Sequence, residues 1–245
     1  MNVFKKLFKQ TFIYGLATVL PRALAIVLVP LYVLVLGKEQ FGVYASLMAF
    51  LILGNVLLSY GMETAFFRFI NKEDYKKEKT QSTALTSLTI STLIFLVLTL
   101  SLKTEMSIFL NFHVDFIIYG LLILALDALV VIPFVWLRTN EKSSRYAIIK
   151  IVNVCINLSF NLFFFLVLPL WAKDTNNSFW DAINLEEGKV AYVFISNLIA
   201  SGITFLMLVP LYFKMKFSFD INIWKKMMKY ALPVLIAGIA FSINE

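Results

Sequence analysis

Residues 12–36 read FIYGLATVLPRALAIVLVPLYVLVL. Twenty-five residues of a helix span about 37 Å, enough to cross the ~30 Å hydrocarbon core of a bilayer. One charge interrupts the run, Arg22, beside Pro21. Arg22 lies two residues from the middle of the segment, ~3 Å from the midplane. An arginine there costs about 2.5–3.5 kcal/mol on insertion scales, so it must face protein or water rather than lipid. Thr11, Gly15, Thr18, Arg22 and Ala25 step by four, three, four and three, which places them on one small and polar helical stripe.

The rest of the chain repeats this pattern. It is 60% hydrophobic and 15% charged, with mean hydropathy +0.82; soluble domains average about 45–50% and 25%. Further spans are predicted at Phe41–Met62, Ala84–Leu102, Phe116–Leu137, Ala147–Leu170 and Val190–Phe213. A seventh begins near Ala231 and reaches only Glu245. The composition therefore predicts an all-α polytopic membrane protein; the internal repeat and the resemblance given below divide it into a six-helix lobe over 1–223 and the start of a further unit with a truncated seventh helix over 224–245. A signal peptide is the rival reading of the first segment, with Lys5, Lys6 and Lys9 in front and Ala23-Leu24-Ala25 as a cleavage site. The apolar run continues well past Ala25, which favours a retained helix.

The basic residues alternate between loops. Lys5, Lys6 and Lys9 precede the first span. Arg68, Lys72, Lys76, Lys77 and Lys79 follow the second, Arg138, Lys142 and Arg145 the fourth, and Lys214, Lys216, Lys225, Lys226 and Lys229 the sixth. The opposite loops hold Lys38, Lys103, Lys173 and Lys189. The positive-inside rule places the N-terminus and the lysine-rich loops in the cytoplasm. The formal charge of +7 thus reads as membrane orientation and not as nucleic-acid binding. The fifth loop, with Trp171, Trp180, Asp181, Glu186 and Glu187, reads as external.

Several helices carry polar residues at mid-membrane depth. Asp127 is near the middle of the fourth span. Asn55, Ser59 and Glu63 mark the second, Lys150, Asn153, Asn157 and Asn161 one face of the fifth, and Ser196, Asn197, Ser201 and Thr204 the sixth. These stripes predict a hydrated cavity lined by Thr18, Asn55, Asn153, Asn157, Asn161, Asn197 and Ser201, with Glu63 and Arg68 at its cytoplasmic mouth. Interhelical hydrogen bonding is the simpler use of any one Asn or Ser, at ~0.6 kcal/mol each. Arg22 and Asp127, at similar depth, form either a structural ion pair or a substrate- or ion-handling site. Glu63 and Arg68 are five apart, poor spacing for pairing along one helix, so each is expected to contact a neighbouring helix or lipid headgroups.

No Walker loop, zinc-protease motif or hydrolase elbow is present, and one cysteine and one histidine cannot build a metal site or a disulfide framework. The reading is a non-enzyme without cofactor or metal. Phe4-Lys5-Lys6-Leu7-Phe8-Lys9 is echoed by Trp224-Lys225-Lys226-Met227-Met228-Lys229, either a common juxtamembrane pattern or the start of a repeat.

YGLATVLPRALAIVLVPLY (14–32), FGVYA (41–45), SYGMETAFFRF (59–69) and PFVWLR (133–138) resemble the N-terminal half of bacterial polysaccharide and O-antigen flippases, in the superfamily of multidrug, oligosaccharidyl-lipid and polysaccharide exporters. The resemblance implies a MATE-like transporter of two six-helix lobes in the bacterial inner membrane. It implies alternating access that carries polyprenyl-pyrophosphate-linked oligosaccharide between leaflets, with Arg22 on the pyrophosphate and Asp127 as counter-ion or coupling group. Membrane lipids, and polymerases or glycosyltransferases of the same pathway, are the implied partners. A small-molecule exporter of the same fold, a membrane enzyme acting on polyprenyl-linked sugars and a non-transporting membrane subunit are the competing readings.

Overall fold

A computed structural model describes residues 3–72, 76–175 and 188–243; of 3–7, 9, 10, 18, 22, 24, 25 and 172–175 only the backbone is described. Helices make up nearly all of it and no strand occurs among the described residues. The first helical run, Val3–Ser59, is broken at Gly37, where φ is 70° and ψ 175°. We call its parts α1 (3–36) and α2 (38–59). Along a straight helix Tyr32 and Tyr44 would stand ~18 Å apart, yet their rings meet at 5.0 Å between centroids. The chain therefore folds back at Gly37, a conformation that a side chain would strain. The two expected crossings are thereby packed against each other.

The remaining elements are α3 (Met62–Ile70), α4 (Lys77–Ser101), α5 (Lys103–Leu110), α6 (Val114–Thr139), α7 (Ser143–Leu162), a π-turn (Phe163–Val167) leading into α8 (Leu168–Thr175), α9 (Val190–Lys214) and α10 (Ile221–Ser242). Five stretches are long and apolar enough to cross a membrane; the first, Thr11–Ile70, contains the fold-back at Gly37. Large apolar side chains such as Ile26, Leu34, Val97, Leu206 and Phe213 stand exposed on the bundle, as expected where lipid is the solvent.

Three boundaries differ from the sequence reading. The second span does not run on through Met62, because Tyr60 (φ 36°) and Gly61 (φ 71°) break it and α3 starts in a new direction. The third loop holds the short helix α5. The last helix begins at Ile221, ten residues before the apolar run. Asp220 caps it, its carboxylate accepting from the backbone N–H of Asn222 (3.0 Å) and Ile223 (3.2 Å). Hydropathy marks where a helix enters lipid; the cap marks where it starts.

Two dry cores form at opposite ends of the bundle. One contains Met62, Ala65, Phe66, Ile132, Val135, Leu137, Leu208, Leu211, Met227 and Ala231. The other contains Leu28, Tyr32, Leu47, Leu51, Ile123, Leu124, Phe165, Leu168 and Phe194. On α6 the first core begins at Val130 and the second ends at Ala128; on α9 they are separated by the stretch between Phe194 and Leu208. Ser196, Asn197, Ser201 and Thr204 of α9 fall in this stretch, and Asp127 of α6 sits beside the boundary between the two cores.

Two close approaches fix the lysine-rich end. A Cβ on Gly61 would lie 2.5 Å from the carbonyl oxygen of Ala231, so the junction of α2 and α3 abuts the backbone of α10. Pro133 has no N–H, which frees the carbonyl four residues back, that of Leu129. The Tyr212 hydroxyl on α9 donates to that carbonyl at 2.5 Å. A helix defect on α6 is thus repaired by a side chain from α9.

Two outcomes follow for thermal unfolding of detergent-solubilised protein. Gly61→Ala must strain a left-handed residue by ~1–2 kcal/mol and also displace α10, so it should lower the melting temperature more than Gly202→Ala, which meets nothing within 4 Å. Tyr212→Phe orphans the Leu129 carbonyl and should cost about 1–3 kcal/mol. Pro133→Ala supplies an N–H to that carbonyl, so the double variant should recover most of the Tyr212→Phe loss in a double-mutant cycle.

Candidate functional site

Between the two cores lies a cavity of about 480 Å³. Five helices build it. Asn55 and Ser59 come from α2, Glu63 from α3, Asp127 and Arg138 from α6, Tyr146, Lys150 and Asn153 from α7, and Asn197, Ser201 and Thr204 from α9. Helical geometry explains the convergence. Asn197, Ser201 and Thr204 recur at four and three, one face of α9, and Lys150 and Asn153 are three apart on α7.

Asp127 is the anchor. The Ser201 hydroxyl donates to its Oδ1 at 2.8 Å, and the Asn55 amide is a second hydrogen-bond partner. The charge of Lys150 acts on Asp127 and on Glu63. The Lys150 ammonium itself sits 4.5 Å above the Phe134 ring centroid, a cation–π contact that steadies it beside apolar wall. Asn153 donates to the Thr204 hydroxyl at 3.0 Å and ties α7 to α9. At the lysine-rich end of the cavity, Arg138 Nη1 bonds Glu63 Oε1 at 3.0 Å, and its guanidinium lies 5.2 Å over Phe67. Both side chains are partly exposed, at 39% and 51%, so this pair is held weakly and can open.

A second cavity, about 270 Å³, adjoins the first: Asn153 and Asn197 line both. Pro21, Tyr32, Tyr44 and Asn157 complete its wall. Asn161 lines neither cavity. It is fully buried, accepts from the Tyr32 hydroxyl at 2.9 Å and donates to the backbone and side-chain oxygens of Asn157 at 2.8 and 3.0 Å. Its geometry is that of interhelical hydrogen bonding between α1 and α7.

The structure thus brings together Asn55, Asp127, Asn153, Asn197, Ser201 and Glu63 around one volume. Arg68 stands apart, its guanidinium 4.3 Å over the Tyr230 ring on α10. Glu63 and Arg68 each turn to a different neighbouring helix. The side chains of Thr18 and Arg22, and with them the pairing of Arg22 with Asp127, lie outside the described residues. Five polar cavity residues were not singled out as site residues from the sequence: Ser59, Lys150, Arg138, Tyr146 and Thr204. Lys150 heads the very stripe that exposed Asn153, Asn157 and Asn161, and that register was the available signal.

Among the described lining residues the charges are balanced. Lys150 and Arg138 face Asp127 and Glu63, with amides and hydroxyls between them. Such a lining can take a group that is anionic at one point and rich in hydroxyls elsewhere, since it offers cations for the first and both donors and acceptors for the second. No group of three or more His, Cys, Asp or Glu able to hold a metal occurs among the described residues.

A profile of polysaccharide biosynthesis proteins matches residues 7–245. No curated protein and no solved structure matches the chain.

Asp127→Asn keeps an acceptor for Ser201 and a partner for Asn55 but also removes the charge facing Lys150, so its melting temperature should fall between those of wild type and Asp127→Leu. Asp127→Leu removes the acceptor and leaves Lys150 without a nearby opposite charge at that depth. It should cost about 3–5 kcal/mol, seen as a lower melting temperature in detergent and as partial recovery in Asp127→Leu/Lys150→Leu.

Proposed function

The chain belongs to the polysaccharide biosynthesis protein family, the family of polysaccharide and O-antigen flippases, and from that premise we propose that it translocates polyprenyl-pyrophosphate-linked oligosaccharide across the bacterial inner membrane by alternating access. The observation that carries the reading is the charge-balanced polar cavity enclosed between two dry cores. In the empty site the cations are occupied: Arg138 by Glu63, Lys150 by the fields of Asp127 and Glu63. A pyrophosphate competes with those carboxylates. It carries more charge and more acceptor oxygens than a carboxylate, and a guanidinium binds phosphate oxygens in pairs. Arg22 enters the same scheme from α1 as the pyrophosphate ligand, with Asp127 as the group that neutralises a cation when the substrate has left. The amides of Asn55, Asn153 and Asn197 and the Ser201 hydroxyl take sugar hydroxyls.

Opening of the half-exposed Arg138–Glu63 pair is the gating event at the lysine-rich mouth. That mouth faces the cytoplasm, as the loop charges predict. In this proposal residues 1–223 make one lobe and residues 224–245 begin a second. No bond is made or broken at the site, and the free energy for transport comes from a gradient or a membrane potential.

The test is a proteoliposome assay with full-length protein and a fluorescent lipid-linked oligosaccharide whose exposure is read by a membrane-impermeant quencher. Arg22→Ala and Lys150→Gln should each slow translocation at least tenfold, because each removes a cation that this scheme assigns to the phosphate. Full rate in both variants sinks the pyrophosphate reading. Transport of a hydrophobic organic cation in place of the glycan lipid would favour a small-molecule exporter, for which Asp127 and Glu63 would be the binding groups.

A further inference from the structure

An apolar trough of about 290 Å³ lies next to the polar cavity. Gly54 and Asn55, adjacent on α2, line the trough and the cavity respectively. The wall of the trough runs from Leu47 to Leu57 on α2 and from Phe116 to Leu124 on α6. Phe95 of α4 joins it, as do Met106 and Leu110 of α5, the short helix that precedes α6. No polar side chain lines the trough among the described residues.

The helices set its length. Leu47 to Leu57 is about 15 Å of helix and Phe116 to Leu124 about 12 Å. Half of the ~30 Å hydrocarbon core is ~15 Å. One end of the trough lies at α5, beside the start of α6. The other lies at Leu124, one turn short of Asp127 and so near mid-membrane depth. The trough therefore runs along one leaflet. Its back is closed, because Leu51, Leu121, Leu124 and Phe194 are buried. Its rim is open, with Phe50 and Leu57 46% and 49% exposed. It thus continues the lipid-facing surface to which Val97 and Leu98 of α4 belong. On α5, Met106 and Leu110 are four apart and share the inner face, while Ile108 and Phe109 between them are 77% and 88% exposed. Two such side chains at the end of a membrane bundle rest in the acyl boundary.

The space selects its occupant. Water finds no polar partner there, and an empty trough forfeits dispersion contacts along its whole wall. A helix from another chain, about 10–12 Å across with its side chains, is too wide for 290 Å³ spread over this length. A single extended hydrocarbon chain is slim enough, and one sized to a leaflet is an acyl chain. Gly120 keeps the trough deep. A Cβ there would meet Leu51 at 3.7 Å, an ordinary contact, so helix packing does not demand glycine at this position, and a larger side chain would occupy the trough itself.

We infer that the trough between α2, α4, α5 and α6 binds one acyl chain of a phospholipid from the leaflet at the α5 end. The chain packs on Leu124, whose Cδ1 would lie 2.8 Å from a Cβ on Gly54. It therefore backs the α2–α6 contact through which Asn55 reaches Asp127. The transport reading plays no part in this inference, since no residue of the polar cavity lines the trough.

The experiment takes the full chain in mild detergent, loaded with phosphatidylcholine bearing palmitoyl or octanoyl chains. Retained lipid is counted by native mass spectrometry beside the melting temperature. One palmitoyl lipid should be retained and should raise the melting temperature, whereas the octanoyl lipid should do so far less. Phosphatidylglycerol should match phosphatidylcholine, because the chain and not the headgroup is recognised. Gly120→Leu fills the trough and should weaken retention roughly tenfold or more. Gly202→Leu adds the same side chain to α9, where a Cβ meets nothing within 4 Å, and should leave retention unchanged. If Gly120→Leu lowers the folded yield, Met106→Trp fills the trough from α5 and makes the same test. Wild-type retention in the filled variant overturns the site, and so does an equal loss in Gly202→Leu. Retention of a polyprenyl phosphate in place of phosphatidylcholine, abolished by Gly120→Leu, would make the trough a seat for a carrier-lipid tail. A dimer abolished by that variant would make it a contact between copies. Either result overturns the proposal.

Discussion

A carboxylate at the middle of a membrane helix has to be surrounded by polar groups from other helices, and Asp127 organises this bundle on that condition. Its hydrogen bonds reach α9 through Ser201 and α2 through Asn55, and Lys150 brings the opposite charge from α7. Four elements are registered by one side chain. Lipid offers no alternative partner at this depth, so sliding any of those helices by one turn would strand a charge or an amide in hydrocarbon. The apolar cores above and below have no such directional demand. They fill space, whereas the polar belt sets the register.

The breaks in the helices serve that belt. Gly37 lets α1 and α2 pack as a hairpin, which brings Asn55 back to the depth of the polar positions of α1. The left-handed pair Tyr60-Gly61 lets α3 leave the line of α2 and places Glu63 where Arg138 can reach it. The same corner is tied to two further helices by hydroxyls: Tyr60 shares a hydrogen bond with Ser87 on α4 at 2.8 Å, and the Trp224 indole on α10 donates to that Ser87 oxygen at 2.9 Å. Pro133 bends α6 between Asp127 and Arg138, and its freed carbonyl is taken by Tyr212. At Pro133 the backbone polarity released by the break is absorbed by the Tyr212 hydroxyl. That is the requirement for irregular backbone inside a membrane.

Much of this was legible in the residues. Hydropathy located the crossings, because a span must be long and apolar whatever it packs against. The three-and-four spacing of Asn197, Ser201 and Thr204 correctly put them on one face. The spacing on α7 was less informative. Lys150, Asn153, Asn157 and Asn161 share a stripe, but α7 continues into the π-turn at Phe163–Val167 and its far end packs on α1. Asn161 is therefore consumed by Tyr32, while Lys150 and Asn153 face the cavity. Periodicity says which residues share a face and not which neighbour that face meets. For the same reason the stripe that begins at Lys150 did not by itself single out that lysine: only the course of α7 brings it to Asp127. The start of α10 was missed because its first turns are lysine-rich, and helical structure there depends on the Asp220 cap rather than on apolar content.

The balance of charge in the cavity has an electrical consequence. Lys150 and Arg138 offset Asp127 and Glu63, so the described lining contributes no net charge to an object passing along it. Fixed wall charges shape the binding of an ion on the way, while the electrical work of the crossing depends only on the charge that moves. Each elementary charge carried across the membrane is then worth ~2.3 kcal/mol per 100 mV. In a cell whose interior is negative, that work drives anions outward. Any net anion carried along such a passage without a counter-ion therefore feels the membrane potential as an outward force.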